Sequence, residues 1–195
     1  MRMIDNASPV KPQRVAIFID VANAEDVDFR GLLARAAELG RLEEVRAYGD
    51  FRQRHLDPIA IELYVLGVEM IHCPSWISGA GKDNGTGRRK RTDDCLLAKG
   101  VRDLLCTRPG VFTYLLVTSD ADIIPTCHAI RERGHDVVLM CPDIERTLGH
   151  VLRQCGFQME PAPMLPEPRN VAFSTPDSAS LSFSEAPEVG VTCQG

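Results

Sequence analysis

Five short apolar segments alternate with helical segments along the chain, and this order constrains the fold more than any other feature. The apolar segments are hydrophobic throughout, which is typical of strands that are buried on both faces of a sheet. Strands that alternate with helices predict a three-layer α/β/α fold around a parallel five-stranded sheet. The predicted strands cover 14–20, 44–51, 68–73, 111–119 and 136–142. The predicted helices cover 29–40, 58–67, 92–106, 122–134 and 146–155.

Composition divides the chain into three parts. Residues 1–13 are predicted to be an N-terminal extension, residues 14–157 a single domain, and residues 158–195 a tail. The tail is rich in proline, serine and acidic residues, and this composition predicts disorder. Residues 160–195 carry −4 of the net charge of −5. The overall charge therefore says little about what the domain binds.

The sequence predicts a cytoplasmic protein with no membrane partner. The N-terminus lacks an apolar signal core, and no apolar run approaches the ~18 residues that indicate a membrane span. The seven cysteines are spread over predicted strands, helices and tail without a C-x-x-C pair. Free thiols are typical of the reducing cytosol. The sequence is compatible with a homodimer but does not determine the oligomeric state.

Polar side chains follow two of the apolar strands at the point where each strand ends. Asp20 closes the first predicted strand and Asn23 follows it, while the fourth strand ends in Ser119, Asp120 and Asp122. In doubly wound sheets, ligands lie beyond the carboxyl ends of the strands, where the strand order reverses. With the order 3-2-1-4-5, the first and fourth strands are neighbours at that reversal. These side chains are then expected to meet in one crevice.

Asp93 and Asp94 open the helix that leads into the fourth strand. Asp93 lies one turn before Leu97, so it shares the sheet-facing side of the helix, and we expect it to lean over the same crevice. Taken alone, either acid is more typical of a helix cap than of a metal ligand, and the same applies to the acids of the fourth strand. Asp20 differs from them, because no helix is predicted to begin immediately after it.

Several carboxylates in one crevice repel each other, and the site costs stability unless a cation fills it. Carboxylate oxygens beside an amide and a hydroxyl suit Mg²⁺ or Mn²⁺. Such an ion activates water and screens the charge that builds up on a phosphate. The predicted metal ligands are Asp20, Asp93, Asp120 and Asp122, with Asn23 as a further catalytic residue and Ser119 as a substrate contact.

A basic block precedes Asp93 at the end of segment 74–91, which is rich in glycine and asparagine and is predicted to be a flexible loop. Taken alone, such a block is more typical of a solvated surface. Beside an acidic metal site, however, it suits a phosphodiester chain, because the metal binds one phosphate and the loop binds the flanking ones. Trp76 is equally suited to stack on a base or to pack the loop down. The predicted substrate-binding residues of the block are Lys82, Arg88, Arg89, Lys90 and Arg91.

Three stretches in this order, VAIFIDVAN, RRKRTDD and YLLVTSDADIIPTCHAIRERGHDVVLMCP, resemble the NYN domains of the LabA-like branch of the PIN-like nuclease superfamily. The resemblance covers residues 14–157. It implies a parallel sheet of order 3-2-1-4-5 and a metal-dependent ribonuclease that is expected to cut RNA endonucleolytically, by in-line attack of an activated water. It places the acids of the family on Asp20, Asp93, Asp120 and Asp122, the companion amide on Asn23, and a hydroxyl beside them on Ser119.

Two other functions stay open at this stage. Many relatives carry a second acid six residues after the helix-opening one, where this chain has Lys99, although Asp94 compensates in part. The sequence therefore favours one bound metal ion over two. The alternative function is a weakly active or inactive module that binds RNA or protein. The other acids argue against that module, because clustered carboxylates near RNA phosphates give no advantage to a protein that only binds RNA. A haloacid-dehalogenase-like phosphatase would need an acid two residues after Asp20, and Ala22 stands there.

Overall fold

The computed structural model describes residues 13–78, 88–90, 92–110, 112–142, 151, 153–167 and 169. The strands are β1 (Arg14–Asp20), β2 (Arg41–Gly49), β3 (Glu69–His72), β4 (Trp76–Ser78), β5 (Arg88–Lys90), β6 (Phe112–Val117), β7 (Asp136–Cys141) and β8 (Gln158–Pro161). The helices are α1 (Phe29–Leu39), α2 (Asp57–Val65), α3 (Asp93–Thr107) and α4 (Ile124–Glu132). Within the described part of the chain, no helix has both the length and the apolar character that crossing a membrane requires.

The main sheet has six strands in the order β3-β2-β1-β6-β7-β8, and all neighbours in it are parallel. The predicted α/β fold and the predicted order of its first five strands are confirmed. β1 and β6 lie side by side at the centre, so their carboxyl ends open on the same edge of the sheet. This edge is the reversal point at which ligands bind in sheets of this kind.

A sixth strand, β8, extends the sheet beyond the five that were predicted. It pairs with β7, with Val138 opposite Gln158 and Cys141 opposite Pro161. β8 lies within the segment 158–195 that was assigned to the tail, so the described fold continues past residue 157. The sequence gives little sign of this strand, because it is four residues long and neither end of it is buried. Residues 170–195 of the predicted tail lie outside the described residues.

Alternate residues of β1 enter two different layers of core. Val15, Ile17 and Ile19 pack on the side covered by α1 and α2, together with residues such as Leu32 and Leu63. The residues between them face α3 and α4 in the second cluster, which includes Phe18, Tyr114, Leu97 and Ile130. Helices on both faces explain why the central strands are apolar throughout, as the sequence pattern indicated.

Gly100 lets α3 lie close against the sheet. Tyr48 of β2 is buried beneath the helix, and its ring stacks on Phe18 with the ring centroids 6.2 Å apart. A Cβ atom at position 100 would lie 1.9 Å from the Tyr48 hydroxyl oxygen and 3.0 Å from the ring carbon that carries it. The absence of a side chain at position 100 therefore sets how closely α3 approaches β2.

The predicted flexible loop 74–91 is wrong at both of its ends, where β4 and β5 form a separate antiparallel pair. Trp76 lies opposite Lys90, and Ser78 lies opposite Arg88. Strands of three residues are too short to show a sequence period, so the pattern did not reveal them. Lys82 and Arg91 lie outside the described residues, as does most of the predicted helix 146–155, of which residues 151, 153 and 154 are helical.

After β8 the chain crosses back to the loop that follows β1. The Asp28 amide donates to the Pro163 carbonyl at 2.9 Å, and the Leu165 amide donates to the Asp26 carbonyl at 2.9 Å. Arg169 then lies with its guanidinium 5.0 Å from the centre of the Phe29 ring and forms an ion pair with Glu62 of α2. Residues 162–167 and 169, the C-terminal strap, therefore hold together the loop after β1 and the two helices on that side.

Candidate metal centre

Asp20 ends β1 and is buried, with 2% of its surface exposed. One carboxylate oxygen accepts from the Ala22 amide at 3.2 Å, and the other accepts from the Asn23 amide group and from the Thr118 hydroxyl, which is 3.1 Å away. The expectation that no helix follows Asp20 is wrong, because a short 3-10 helix covers Val21–Asn23 and Asp20 is its N-cap. Asn23 is thus held directly against Asp20.

Thr118 links the ends of the two central strands and was missed in the sequence. Its hydroxyl donates to Asp20 and accepts from the Asp120 amide at 3.1 Å. The available sequence signal was a hydroxyl side chain directly before the acids of the fourth strand. Only the hydroxyl of Ser119 was predicted to belong to the site, and not that of Thr118. Ser119 is also buried, and it lines with Asn23 a groove of about 350 Å³ beside Met164.

Asp94, Asp120 and Asp122 form the tightest acidic group among the described residues, which we call the acidic triad. Each offers one carboxylate oxygen, and these oxygens all lie within 4.8 Å of one another. Asp120 is positioned by the turn it caps, since its side chain accepts from the Asp122 amide at 3.0 Å. Asp94 lies in the first turn of α3. The structure therefore brings Asp94 to the place for which the sequence favoured Asp93.

Asp93 is not a member of the acidic triad and borders a neighbouring small pocket with Asp50 and Cys73, but its charge still acts on the site. It is buried, and its Oδ1 atom has no hydrogen-bond partner among the residues that the structure describes. Its charge contributes to raising the pKa of Asp20. Neither Asp93 nor Asp94 is the N-cap of α3, because Thr92 occupies that position. The alternative interpretation of Asp93 or Asp94 as a helix cap is therefore wrong.

Burial and the negative charges of neighbouring acids raise the pKa values of Asp94 and Asp20. Burial, together with the charges of Asp20, Asp93, Asp120 and Asp122, raises the pKa of Asp94 from its usual 3.8 to about 6. Burial also raises the pKa of Asp20, against the hydrogen bond from Asn23, which lowers it. Carboxylates that resist ionisation in this way gain from a nearby cation.

The donor set fits a hard divalent cation. Carboxylate oxygens are the ligands that Mg²⁺ and similar ions take in proteins. A buried oxygen without a partner, such as Asp93 Oδ1, also calls for a cation or a water nearby. Lys99 does not neutralise the site, because its ammonium pairs with Asp103 on the exposed side of α3. In the described part of the chain, no lysine or arginine forms an ion pair with the acidic triad.

We expect the thermal stability that Asp94 contributes to the metal-free protein to fall between about pH 4 and pH 6. Its raised pKa means that the folded state holds this proton more tightly than the unfolded chain, so stability is present below 3.8 and is lost as the pH rises through about 6. Asp50, Glu43 and Glu160 have lowered pKa values and act in the opposite direction.

The difference in Tm between wild type and Asp94→Asn isolates this contribution. Scanning fluorimetry in EDTA across this pH range should show the variant gaining on the wild type as the pH rises, and added Mn²⁺ should remove that gain. Parallel curves for the two proteins would show that Asp94 carries no such strain.

A sequence profile of the family described as NYN domain matches residues 14–158 of this chain. No curated protein matches it. The matched range runs from the first residue of β1 to the first residue of β8. It therefore includes the whole of the site described above, with both central strands and the first turn of α3.

Proposed function

The chain belongs to the NYN domain family, within the PIN-like nuclease superfamily, and from this premise we propose that it is a metal-dependent ribonuclease that hydrolyses RNA phosphodiester bonds. The observation that carries the proposal is the acidic triad, whose carboxylate oxygens lie within 4.8 Å of one another at the carboxyl edge of the central strands. The order of its three motifs favours the LabA-like branch of the family. The six cysteines that the structure describes are unpaired, three of them buried, and this favours the cytoplasm.

The residues of the site have distinct roles in this proposal. The acidic triad, with Asp20 and Asp93, would hold Mg²⁺ or Mn²⁺. Such an ion, when bound, supplies a Lewis acid and makes water nucleophilic near neutral pH. Asn23 and Thr118 keep the Asp20 carboxylate in one orientation through their hydrogen bonds to it. Ser119 lies beside them and would contact the substrate.

The basic block would hold the phosphates that flank the cut. Its described members, Arg88, Arg89 and Lys90, form β5, which ends three residues before α3 begins. Lys82 and Arg91 belong to the same proposal from the sequence. Contacts to phosphates give affinity without selecting a base sequence, so the block supports binding to RNA in general.

Internal cleavage is favoured by the surroundings of the acids. Asp94 and Asp122 border a groove of about 530 Å³, while Asn23 and Ser119 border a separate groove of about 350 Å³. A strand that crosses the site can thus continue in both directions. An enzyme that trims ends would instead be expected to close one of these exits.

Lys99 favours a second candidate, a module that binds RNA or protein without cutting it. It stands where many relatives have an acid, so the site has one carboxylate fewer than theirs, and its ammonium pairs with Asp103 instead. The same substitution makes a single metal ion the expected stoichiometry of the enzyme. Titration calorimetry with Mn²⁺ measures this stoichiometry independently of activity.

Cleavage of a labelled linear RNA and of a circular RNA tests the proposal. We expect both to be cut in Mn²⁺ or Mg²⁺ and neither to be cut in EDTA. Cutting of the circle demonstrates an endonuclease, because a circle offers no end. If neither RNA is cut in either metal, and EDTA leaves RNA binding unchanged, the binding module is the correct description.

A further inference from the structure

A groove between α3 and α4 begins at the metal site and runs along both helices. It has a volume of about 530 Å³, and Asp94 and Asp122 form one end of it. Its α3 wall continues to Leu105 and its α4 wall to Arg133. The lining positions on α3 recur every three or four residues, so they form one continuous face of the helix.

Charge changes sign along this groove. Arg102 lies eight residues after Asp94 on α3, which is about 12 Å along the helix axis. Arg133 follows the last turn of α4 on the opposite wall. Both arginines are exposed, and neither forms an ion pair with a carboxylate within the described ranges. Two guanidinium groups without a carboxylate partner among the described residues therefore lie at a distance from the acids.

The wall between the two charged regions is small and largely apolar. Ala98 and Val101 line it from α3, and Pro125 and Ala129 line it from α4. None of the lining residues that the structure describes is aromatic, so they offer no platform on which a base can stack. Its volume lies in the range of about 300–1,000 Å³ that is typical of ligand sites in proteins.

We propose that this groove holds the RNA strand on one side of the cut, with Arg102 and Arg133 on its phosphates. The inference rests on the proposed ribonuclease function and names the path of its substrate. A strand that has one phosphate at the cation and later phosphates at the guanidinium groups matches both ends of the groove. An acidic peptide accounts only for the arginine end, because it carries no phosphodiester bond on which the proposed metal site could act. The absence of a stacking platform implies contact to the backbone with little preference for base.

The double variant Arg102→Ala/Arg133→Ala tests the path through binding. Anisotropy with a labelled single-stranded RNA in Ca²⁺, with the RNA checked for integrity afterwards, gives Kd at several salt concentrations. We expect Kd to rise at least about tenfold for the loss of two charged contacts. We also expect the slope of log Kd against log salt to fall by about 1.4, since each phosphate contact to a single strand contributes about 0.7.

Two comparisons make the result specific. Arg30→Ala removes an exposed arginine from α1, on the opposite side of the sheet, and should leave both Kd and slope at wild-type values. Arg102→Lys/Arg133→Lys keeps the two charges and should retain most of the salt slope. Melting curves show whether each variant is folded, which is expected because both side chains are exposed.

The outcomes separate this inference from the proposed function. If wild type cuts RNA in Mn²⁺ and the Arg102→Ala/Arg133→Ala protein binds RNA as wild type does, the path is wrong and the ribonuclease stands. If a glutamate-rich peptide displaces the RNA as well as unlabelled RNA does, the groove is a peptide site and the path is again wrong. If wild type binds but does not cut, and the double variant loses affinity as expected, the ribonuclease fails while the groove remains an RNA site.

Discussion

Asp94→Asn is expected to lower kcat/KM for RNA cleavage in Mn²⁺ by at least ~100-fold. Losing a group that only orients a metal ligand typically costs 10–100-fold, and Asp94 belongs to the acidic triad itself. Asparagine has nearly the same shape, so the change removes charge with little change in packing. Because burial and four acidic neighbours both disfavour that charge, we also expect a higher Tm in EDTA. A simultaneous loss of activity and gain of metal-free stability is the signature of a ligand.

Asp94 is a better position for this test than Asp20. The Asp20 carboxylate accepts hydrogen bonds from Ala22, Asn23 and Thr118, so an asparagine there would turn a donor toward other donors and disturb the ends of both central strands. Lost activity in Asp20→Asn would then have two explanations. The Asp94 side chain has no hydrogen bond in the described part of the protein.

Asp103→Asn is the matched control for Asp94→Asn. It removes an acid from the same helix, but one that is exposed and paired with Lys99 outside the acidic triad. We expect cleavage within about twofold of wild type, because surface ion pairs contribute about 0–1 kcal/mol. Equal losses in both variants would indicate a general effect of charge on RNA binding. Near-wild-type cleavage in Asp94→Asn would remove this residue from the metal site.

Gly100→Ala is expected to destabilise the protein by about 1–3 kcal/mol, the usual cost of overpacking. Alanine in place of glycine within a helix is normally stabilising by about 1 kcal/mol. Here the new Cβ would lie 1.9 Å from the Tyr48 hydroxyl oxygen, so Tyr48 or α3 must move. Tyr48 is buried and stacked on Phe18, which leaves its ring little room. Urea denaturation of wild type and variant measures the difference in the free energy of unfolding.

Removing the hydroxyl group should relieve this clash. The double variant Gly100→Ala/Tyr48→Phe places the same Cβ against a ring without its oxygen, and we expect it to be more stable than Gly100→Ala alone. Tyr48→Phe by itself measures the cost of losing the hydroxyl, which completes the double-mutant cycle. Additive effects of the two changes would mean that the contact does not limit the approach of α3.

The sequence was sufficient for the main features of the fold because those features follow from local patterns. Continuous apolar runs predicted the strands from β1 to β7 within the main sheet, and the helices between them fixed a parallel arrangement. The acids at the ends of β1 and β6 were placed correctly at one edge, since parallel neighbours end together. Their roles in catalysis and the basic contacts to substrate stay predictions.

The choice between Asp93 and Asp94 could not be made from sequence alone. Consecutive residues on a helix point about 100° apart, so the rotation of α3 about its axis decides which carboxylate meets the acids that follow β6. That rotation is set by how α3 packs on the sheet, and contacts such as the close approach of Gly100 to Tyr48 are tertiary and leave no sequence signal. Thr118 could not be identified from sequence for a similar reason. Its hydroxyl has a role only because the neighbouring strand β1 places Asp20 within hydrogen-bond distance.

The C-terminal strap and β8 determine where a fragment of this domain should end for recombinant expression. A fragment that stops at residue 157 lacks the partner of β7, and the backbone groups of this apolar strand become an open sheet edge. Open edges of this kind recruit strands from other molecules and promote aggregation. A fragment that ends after Arg169 keeps the edge covered and retains the anchor on Phe29 and Glu62. Solubility in recombinant production therefore depends on twelve residues that composition alone would discard as part of the tail.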